Sequence, residues 1–327
     1  MKKNSKTNSG KTYFPIVVIG ASAGGFTSIL EFTNHLPSQF NGAVFIVMHL
    51  SKRANIAFLI QYLQQHTHLN CKMIADKDDI QPGTIYFAAP QRHLIIANGK
   101  TRSGTGPEEN HFKPSIDILF RTAAVEYRER VAGIILSGLL DDGVGGMLAI
   151  KRCGGFCMVQ EPLEAEYADM PLAVIEKMKP DRTLPVVEMG KAILQWWKKP
   201  KKKISKIPEE LVEEVEIIQK VLTGIDETRK LGTQSLFTCP ACGGVLWSVN
   251  DPHLKRYRCF TGHAFTEKNL LEEQKESLKT TLWVALRLLE ERKKLLGRIS
   301  SNDNKLNDIH VHIERMKKLL SDLQMLS

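Results

Sequence analysis

Val17-Val18-Ile19-Gly20-Ala21-Ser22-Ala23-Gly24-Gly25 is the stretch on which the fold turns. A β-branched apolar run, Ile16 to Ile19, ends at a turn of small residues. Beyond the turn, Phe26, Ile29, Leu30 and Phe32 recur at helical spacing, so the order is strand, tight turn, helix. A dinucleotide-binding turn uses G-x-G-x-x-G, with a middle glycine that lets the backbone approach a pyrophosphate. Here Gly20 and Gly25 hold the outer positions, but Ser22 holds the middle one. No lysine follows Gly25, which excludes a Walker loop. A hydroxyl therefore stands at the positive end of a helix, as on a nucleophile elbow. A glycine-rich turn that only packs helix on strand fits this stretch equally well.

Outward from that turn, short apolar runs alternate with helical segments. Ala43 to Met48 is a second buried strand, ending at His49, and Ala57 to Gln65 is helical. Gly83 to Ala88 and Leu94 to Ile96 are short strands, with Ala97-Asn98-Gly99-Lys100 as a hairpin signal. Ser115 to Arg130 has helical periodicity, and Val131 to Ser137 is a strong strand. A helix over Gly143 to Cys153, a strand over Phe156 to Gln160, a helix over Met170 to Lys177 and a last strand over Leu184 to Val187 follow. Continuous apolar strands between helices predict an α/β fold, a doubly wound, mostly parallel sheet with helices on both faces. The hairpin predicts some antiparallel admixture.

Three polar residues fall just past the C-terminal ends of apolar strands: Ser22, His49 and the Asp141-Asp142 pair. Ligands of open α/β sheets bind at that edge, near the point where strand order reverses. Ser, His and Asp are the types a hydrolytic triad needs, because a hydroxyl is a weak nucleophile until an imidazole takes its proton. The Ala23 N–H and the helix N-terminus are available to an oxyanion, with Leu139 N–H as a second backbone donor. His93 is a rival base, and Asp141 a rival acid. Asp142 also suits a plain N-cap for the helix that starts near Gly143.

Four segments in register resemble one family. They are Val18 to Gly25, Val47-Met48-His49-Leu50, Lys113 to Phe120 and Ile135 to Gly143, followed by Asp169-Met170-Pro171. Together they are similar to the catalytic domain of the protein-glutamate methylesterase of bacterial chemotaxis, the CheB family, over about residues 14 to 195. The resemblance implies a serine hydrolase that demethylates γ-glutamyl methyl esters, releasing methanol, and also deamidates glutamines. Its targets would be methylated chemoreceptors or a related signalling protein. It makes Ser22 the nucleophile, His49 the general base and then acid, and Asp142 the orienting carboxylate, with no cofactor for catalysis. The family's Gly-Met-Gly-x-Asp-Gly reads Gly138-Leu139-Leu140-Asp141-Asp142-Gly143 here, with Leu140 in place of a glycine. The family's usual N-terminal receiver has no counterpart in residues 1–13, so no switching by phosphorylation in cis is expected.

The chain's 327 residues leave room for a second unit. Residues 1–13 read as a flexible tail, 14–197 as the esterase-like domain and 198–207 as a basic linker. A helix over 208–232, a zinc ribbon over 233–265 and a helical hairpin or coiled coil over 266–327 complete the chain. Cys239-x₂-Cys242 and, after sixteen intervening residues, Cys259-x₃-His263 have the spacing of a closed Cys₃His structural zinc site. Leu246 to Val249 and Arg256 to Arg258 pair between the ligand couples, and Thr266 caps the next helix. Leu278, Leu282, Ala285, Leu289, Leu296 and Ile299 form one stripe; Leu306, Ile309, Ile313, Met316, Leu320 and Leu323 form another. A helical hairpin and a homodimeric coiled coil fit these stripes equally.

The net charge of +9 gathers at Lys198 to Lys206 and in the N-terminal tail. No aromatic residues interleave with it for base stacking, so a solvated linker is expected and not a nucleic-acid surface. No run is long enough to span a membrane, and Met1 to Lys11 lacks the apolar core of a secretory signal, so a cytoplasmic protein is expected. The alternative to an esterase is a catalytically idle adaptor that binds a partner protein through the ribbon and helices.

Overall fold

The computed structural model describes residues 14–50, 54–200, 206–219, 230–299 and 303–325. The first half begins with β1 (Ile16–Ala21), α1 (Gly25–Asn34), β2 (Ala43–Met48), α2 (Ile56–Gln64), β3 (Asn70–Met73) and β4 (Thr84–Phe87). It continues through β5 (His93–Ala97), β6 (Lys100–Gly104), α3 (Ile116–Tyr127), β7 (Val131–Ile135) and α4 (Val144–Arg152). β8 (Phe156–Gln160), α5 (Asp169–Lys177), β9 (Arg182–Leu184) and α6 (Val186–Lys198) close it.

Seven strands form one sheet in the order β3-β4-β2-β1-β7-β8-β9, every neighbour parallel. The chain leaves β1 toward β2 on one side and returns to β7 on the other, so strand order reverses at β1. Alternate residues of β1 feed two cores. Ile16 and Val18 pack toward α3, α4 and α5, beside Leu119, Phe120, Met147 and Val174. Val17, Ile19 and Ala21 pack toward α1, α2 and α6, beside Phe32, Leu63 and Met189. Both faces are covered, which is why β1, β2 and β7 are apolar throughout.

Two sequence expectations change, and one strand is new. The hairpin over Ala97 to Lys100 does not enter the main sheet; β5 and β6 form a separate two-stranded sheet, leaving the large one purely parallel. β3, with Asn70 and Lys72, pairs on one face of β4 at the sheet edge and gives little apolar signal. The last strand stops at Leu184, because Pro185 opens α6, whose Val186, Met189 and Ile193 recur at helical spacing into the core.

Beyond α6 lie α7 (Glu209–Gln219), β10 (Gly232–Thr238), β11 (Val245–Val249), β12 (Arg256–Cys259) and β13 (Ala264–Thr266). They lead to α8 (Glu267–Ile299) and α9 (Asp303–Met325). β10 to β13 make a four-stranded antiparallel sheet. Leu282, Leu286 and Leu289 of α8 meet Ile309, Ile313, Met316 and Leu320 of α9, so the stripes pair within one chain. The tail over 1–13, the linker lysines Lys201, Lys202 and Lys203, and the helix positions Leu222 and Ile225 lie outside the described residues.

α7 joins the halves. Leu211 enters the core beside α3 and α4. Glu214 accepts two hydrogen bonds from Arg256 of β12, Nη1 at 2.6 Å and Nη2 at 2.8 Å. Arg121 Nε of α3 approaches the same carboxylate at 3.5 Å. The paired guanidinium charges hold Glu214 well below the usual carboxylate range although burial opposes this.

Candidate active site

Ser22 follows β1 and is held by Ser137, whose carbonyl accepts the Ser22 N–H at 2.9 Å. The Ser22 carbonyl in turn accepts Gly25 N–H at 2.9 Å, closing the turn into α1. Gly24 has φ 69, a left-handed conformation that favours glycine. Ser137 Oγ donates to Ala23 O at 2.8 Å and accepts Tyr167 N–H at 3.0 Å, fixing the turn from the β7 side. Gly138 sits against the serine: a Cβ there would lie 2.8 Å from Ser22 Cβ and 2.1 Å from Met170 Sδ. Only glycine fits so close an approach.

His49 follows β2 at the matching level. Ala21 pairs with Met48 in parallel register, and His49 N–H donates to Ala21 O at 3.0 Å. Strands so paired stand about 4.8 Å apart, which brings the two side chains to one rim. His49 Nε2 lies 3.0 Å from Asp142 Oδ2. A carboxylate accepts, so this nitrogen carries a proton, and in the neutral ring Nδ1 keeps its lone pair. Nδ1 is buried and without a hydrogen-bond partner, so the Ser22 hydroxyl does not engage it in this conformation. Phe112 stacks on the imidazole, centroids 3.4 Å apart and planes 7° from parallel.

Asp142 is buried and saturated with donors. Oδ2 accepts His49 Nε2–H and Ile116 N–H at 2.7 Å. Oδ1 accepts Asn110 Nδ2 at 3.1 Å, Ser115 Oγ at 3.2 Å and Asp117 N–H at 3.3 Å. Burial alone would raise its pKa, but the His49 contact and these donors together hold it below 3.8. The carboxylate does serve a helix N-terminus, but of α3 and not of the following α4. Neighbouring Asp117 is pushed up to about 7 by burial first and then by the Asp142 charge, although Arg121 opposes both.

The two rivals have other partners. His93 is buried, with Nε2 against Pro107 O at 2.9 Å and Nδ1 accepting Ser115 N–H at 3.2 Å. Asp141 turns away from the imidazole and accepts Thr266 Oγ1 at 2.9 Å and Asn269 Nδ2 at 2.6 Å. Ala23 and Leu139 flank Ser22 in the two strand-end turns, and among the described residues no hydrogen bond takes up either N–H. Sequence reasoning missed Asn110 and Phe112, which lie in a polar loop without periodicity. Ser115 stood inside a family-like segment, but nothing gave its role.

A second cluster lies in the four-stranded sheet. The ligand atoms of Cys239, Cys242, Cys259 and His263 all fall within 4.8 Å of one another. Cys242 Sγ is 3.7 Å from Cys259 Sγ, which is 3.6 Å from His263 Nδ1. Metal–sulfur bonds of about 2.3 Å in a tetrahedron place sulfurs about 3.8 Å apart. The set can hold a metal ion.

An apolar hollow of about 170 Å³ opens beside His49, lined by Met48, Leu50, Phe87, Phe112 and Pro114 among others. No helix among the described residues is long and apolar enough to cross a membrane.

The chain is similar to a candidate protein-glutamate methylesterase/protein-glutamine glutaminase of Leptospira interrogans, 35% identical over 183 residues, 56% of this chain and 94% of that protein. A protein-glutamate methylesterase/protein-glutamine glutaminase of Anaeromyxobacter dehalogenans is 32% identical over 178 residues, 54% of this chain and 52% of that protein. The crystal structure of the Thermotoga maritima CheB methylesterase catalytic domain superposes with a TM-score of 0.53 at 27% identity, covering 56% of this chain and 98% of that one. Residues 17–193 match the family model described as CheB methylesterase. With more than half of its 327 residues inside that match, the chain belongs to the CheB methylesterase family.

Proposed function

We propose that this protein is a protein-glutamate methylesterase that also deamidates glutamine, with Ser22, His49 and Asp142 as its catalytic residues. One observation carries the reading: an imidazole oriented by a buried carboxylate presents an unshared nitrogen at the strand end next to a serine on a tight turn. In this reading the Ser22 hydroxyl turns to His49 Nδ1 for the reaction. The ring nitrogens then play the reverse of their roles in the familiar serine-protease triad, where Nδ1 faces the acid.

Ser22 Oγ attacks the γ-ester carbonyl carbon as His49 Nδ1 takes its proton. Ala23 and Leu139 N–H groups, with the N-terminus of α1, face the developing oxyanion. Collapse breaks the C–O bond to methoxide, which takes the proton from His49 and leaves as methanol. Water then attacks the acyl-serine, gives a proton to His49, and the Ser22 oxygen leaves with that proton, freeing a glutamic acid that ionises by releasing its proton to solvent. For glutamine the same steps release ammonia. The substrate is a methylated chemoreceptor or a related signalling protein, whose apolar side chains suit the hollow beside His49.

Cys239, Cys242, Cys259 and His263 hold a structural zinc ion in this reading, because four protein ligands leave no open position for chemistry. Homodimerisation through the C-terminal helices would use Leu288 and Leu295, which face solvent in the hairpin.

The test is methanol release from a methylated receptor, run beside fluorophosphonate labelling. Wild-type protein is expected to react in both assays and Ser22→Ala, with an unchanged circular dichroism spectrum, in neither. A folded wild type that reacts in neither is an idle adaptor.

A further inference from the structure

The C-terminal module holds a loop, residues 109–112, that touches two of the three proposed catalytic residues. Asn110 N–H donates to Ala264 O of β13 at 2.8 Å. Thr266 N–H, at the end of β13, donates to Asn110 Oδ1 at 3.1 Å. The amide nitrogen of the same side chain reaches Asp142 Oδ1 at 3.1 Å and Asp117 Oδ2 at 3.0 Å. The next residue, His111, pairs with Glu273 of α8 through Nδ1 and Oε1 at 2.6 Å. The one after it is Phe112, stacked on His49. From the other side, Thr266 Oγ1 and Asn269 Nδ2 hold Asp141, the chain neighbour of Asp142.

The polarity of these contacts fixes the amide. A backbone N–H can only donate, so the atom facing Thr266 must be Oδ1. Asp142, held ionised by its donors, only accepts, so the NH₂ must face it, and with it the neighbouring Asp117. Without β13 in place, Oδ1 would lack its buried donor, and only the contacts to Asp117 and Asp142 would hold the amide. A flipped amide would set a carbonyl oxygen against two acidic groups in a buried site, where an unpaired polar atom is costly. Asn110 and His111 both have positive φ, 52° and 76°, so the loop is held in a conformation that most residues avoid.

We infer that Asn110 is a positioning residue for the Asp142–His49 pair, and that the C-terminal module sets its orientation through the Thr266 N–H. The module is then a working part of the esterase, and undocking it loosens the imidazole. The inference rests on the proposed esterase function for its kinetic consequence, but not for its structural one.

Both parts are tested on the full chain with Asn110→Ala and the near-isosteric Asn110→Asp, which keeps an acceptor for Thr266 but turns an oxygen toward Asp142. The kinetic readout is kcat and KM for methanol release. The spectroscopic readout is the downfield proton resonance of His49 Nε2–H in the resting protein. Asn110→Ala is expected to lower kcat about tenfold or more, at little change in KM, since small misplacements of catalytic groups are expensive. It should also shift or broaden the His49 resonance, and Asn110→Asp should do both more strongly. Thr266→Pro, which beyond the hydroxyl lost in Thr266→Ala removes the backbone N–H and fixes φ, should exceed Thr266→Ala in both effects.

Folded variants with kcat within twofold of wild type, or with lower kcat and an unmoved His49 resonance, overturn the inference. Should Asn110→Ala fail to fold, Asn110→Asp decides on the same two measurements. Wild-type protein that releases no methanol defeats the esterase reading instead, and the resonance alone then decides the positioning.

Discussion

His49 Nε2–H is received by Asp142 Oδ2 at 3.0 Å, and the same oxygen receives the first N–H of α3 from Ile116 at 2.7 Å. One carboxylate thus orients the imidazole and caps a core helix. Asp142 therefore serves the fold as well as its proposed role in the chemistry.

Asp142→Asn separates the two roles. An amide in this place can put its NH₂ toward His49, favouring the wrong tautomer, and kcat is expected to fall by about 10³–10⁴. Stability should follow pH with a definite sign. The folded pKa of Asp142 lies below 3.8, its ordinary value. Its stabilising contribution is therefore complete at pH well above 3.8 and is lost as pH falls through the folded value. The difference in urea unfolding free energy between wild type and Asp142→Asn should be level above about pH 5 and shrink below pH 3.8. A difference that grows on acidification would contradict the assignment.

Leu140 stands where the family motif has glycine, and the structure places it at φ 68. An L-residue in the left-handed region costs about 1–2 kcal/mol, whereas glycine there costs about 0.5–1 kcal/mol through greater freedom of the unfolded chain. Leu140→Gly should therefore raise stability by roughly 0.5 kcal/mol. Thermal unfolding measures this, and a loss of more than about 1 kcal/mol would mean that packing of the Leu140 side chain outweighs the strain.

Much of this was legible in the chain itself. Ile16 to Ile19, Ala43 to Met48 and Val131 to Leu136 are apolar at every position because both sheet faces are covered, and that pattern gave the parallel core. Strand ends then located Ser22, His49 and Asp142 without any knowledge of their geometry. Asn110 was hidden because its partners, Asp117, Asp142 and Thr266, converge only in space, Thr266 from 156 positions away. Asp142 looked like the N-cap of its own downstream helix because local order cannot show that a carboxylate reaches across to α3. The strand assigned over Leu184 to Val187 failed at Pro185, where a β-branched pair masked the start of a helix.

Glu214 joins α7 to both Arg121 of α3 and Arg256 of β12, all three buried. Removing one partner of such a cluster leaves uncompensated charge in the interior. Glu214→Ala should destabilise the protein by about 3–5 kcal/mol, read from urea or thermal unfolding. The conservative Glu214→Gln keeps two acceptor lone pairs and should lose less. Equal losses would show that the charge, and not the shape or the acceptor lone pairs, holds the junction.

The metal site gives a prediction about folding. The core of the four-stranded sheet is Leu246, Tyr257, Phe265 and Leu270 packed on Cys239 and Cys259, too little apolar mass to fold without a staple. A bound metal ion would supply that staple, because ligands scattered in the unfolded chain converge only in the folded one. Purified protein is therefore expected to carry about one zinc per chain by elemental analysis, and Cys259→Ser to carry little. Chelation should expose the segment 232–266 to protease while residues 14–200, with their own two cores, resist. Since Thr266 and Ala264 hold Asn110, esterase activity should fall along with that protection. Activity that persists after the metal has left and the segment has been cut would detach the ribbon from the active site.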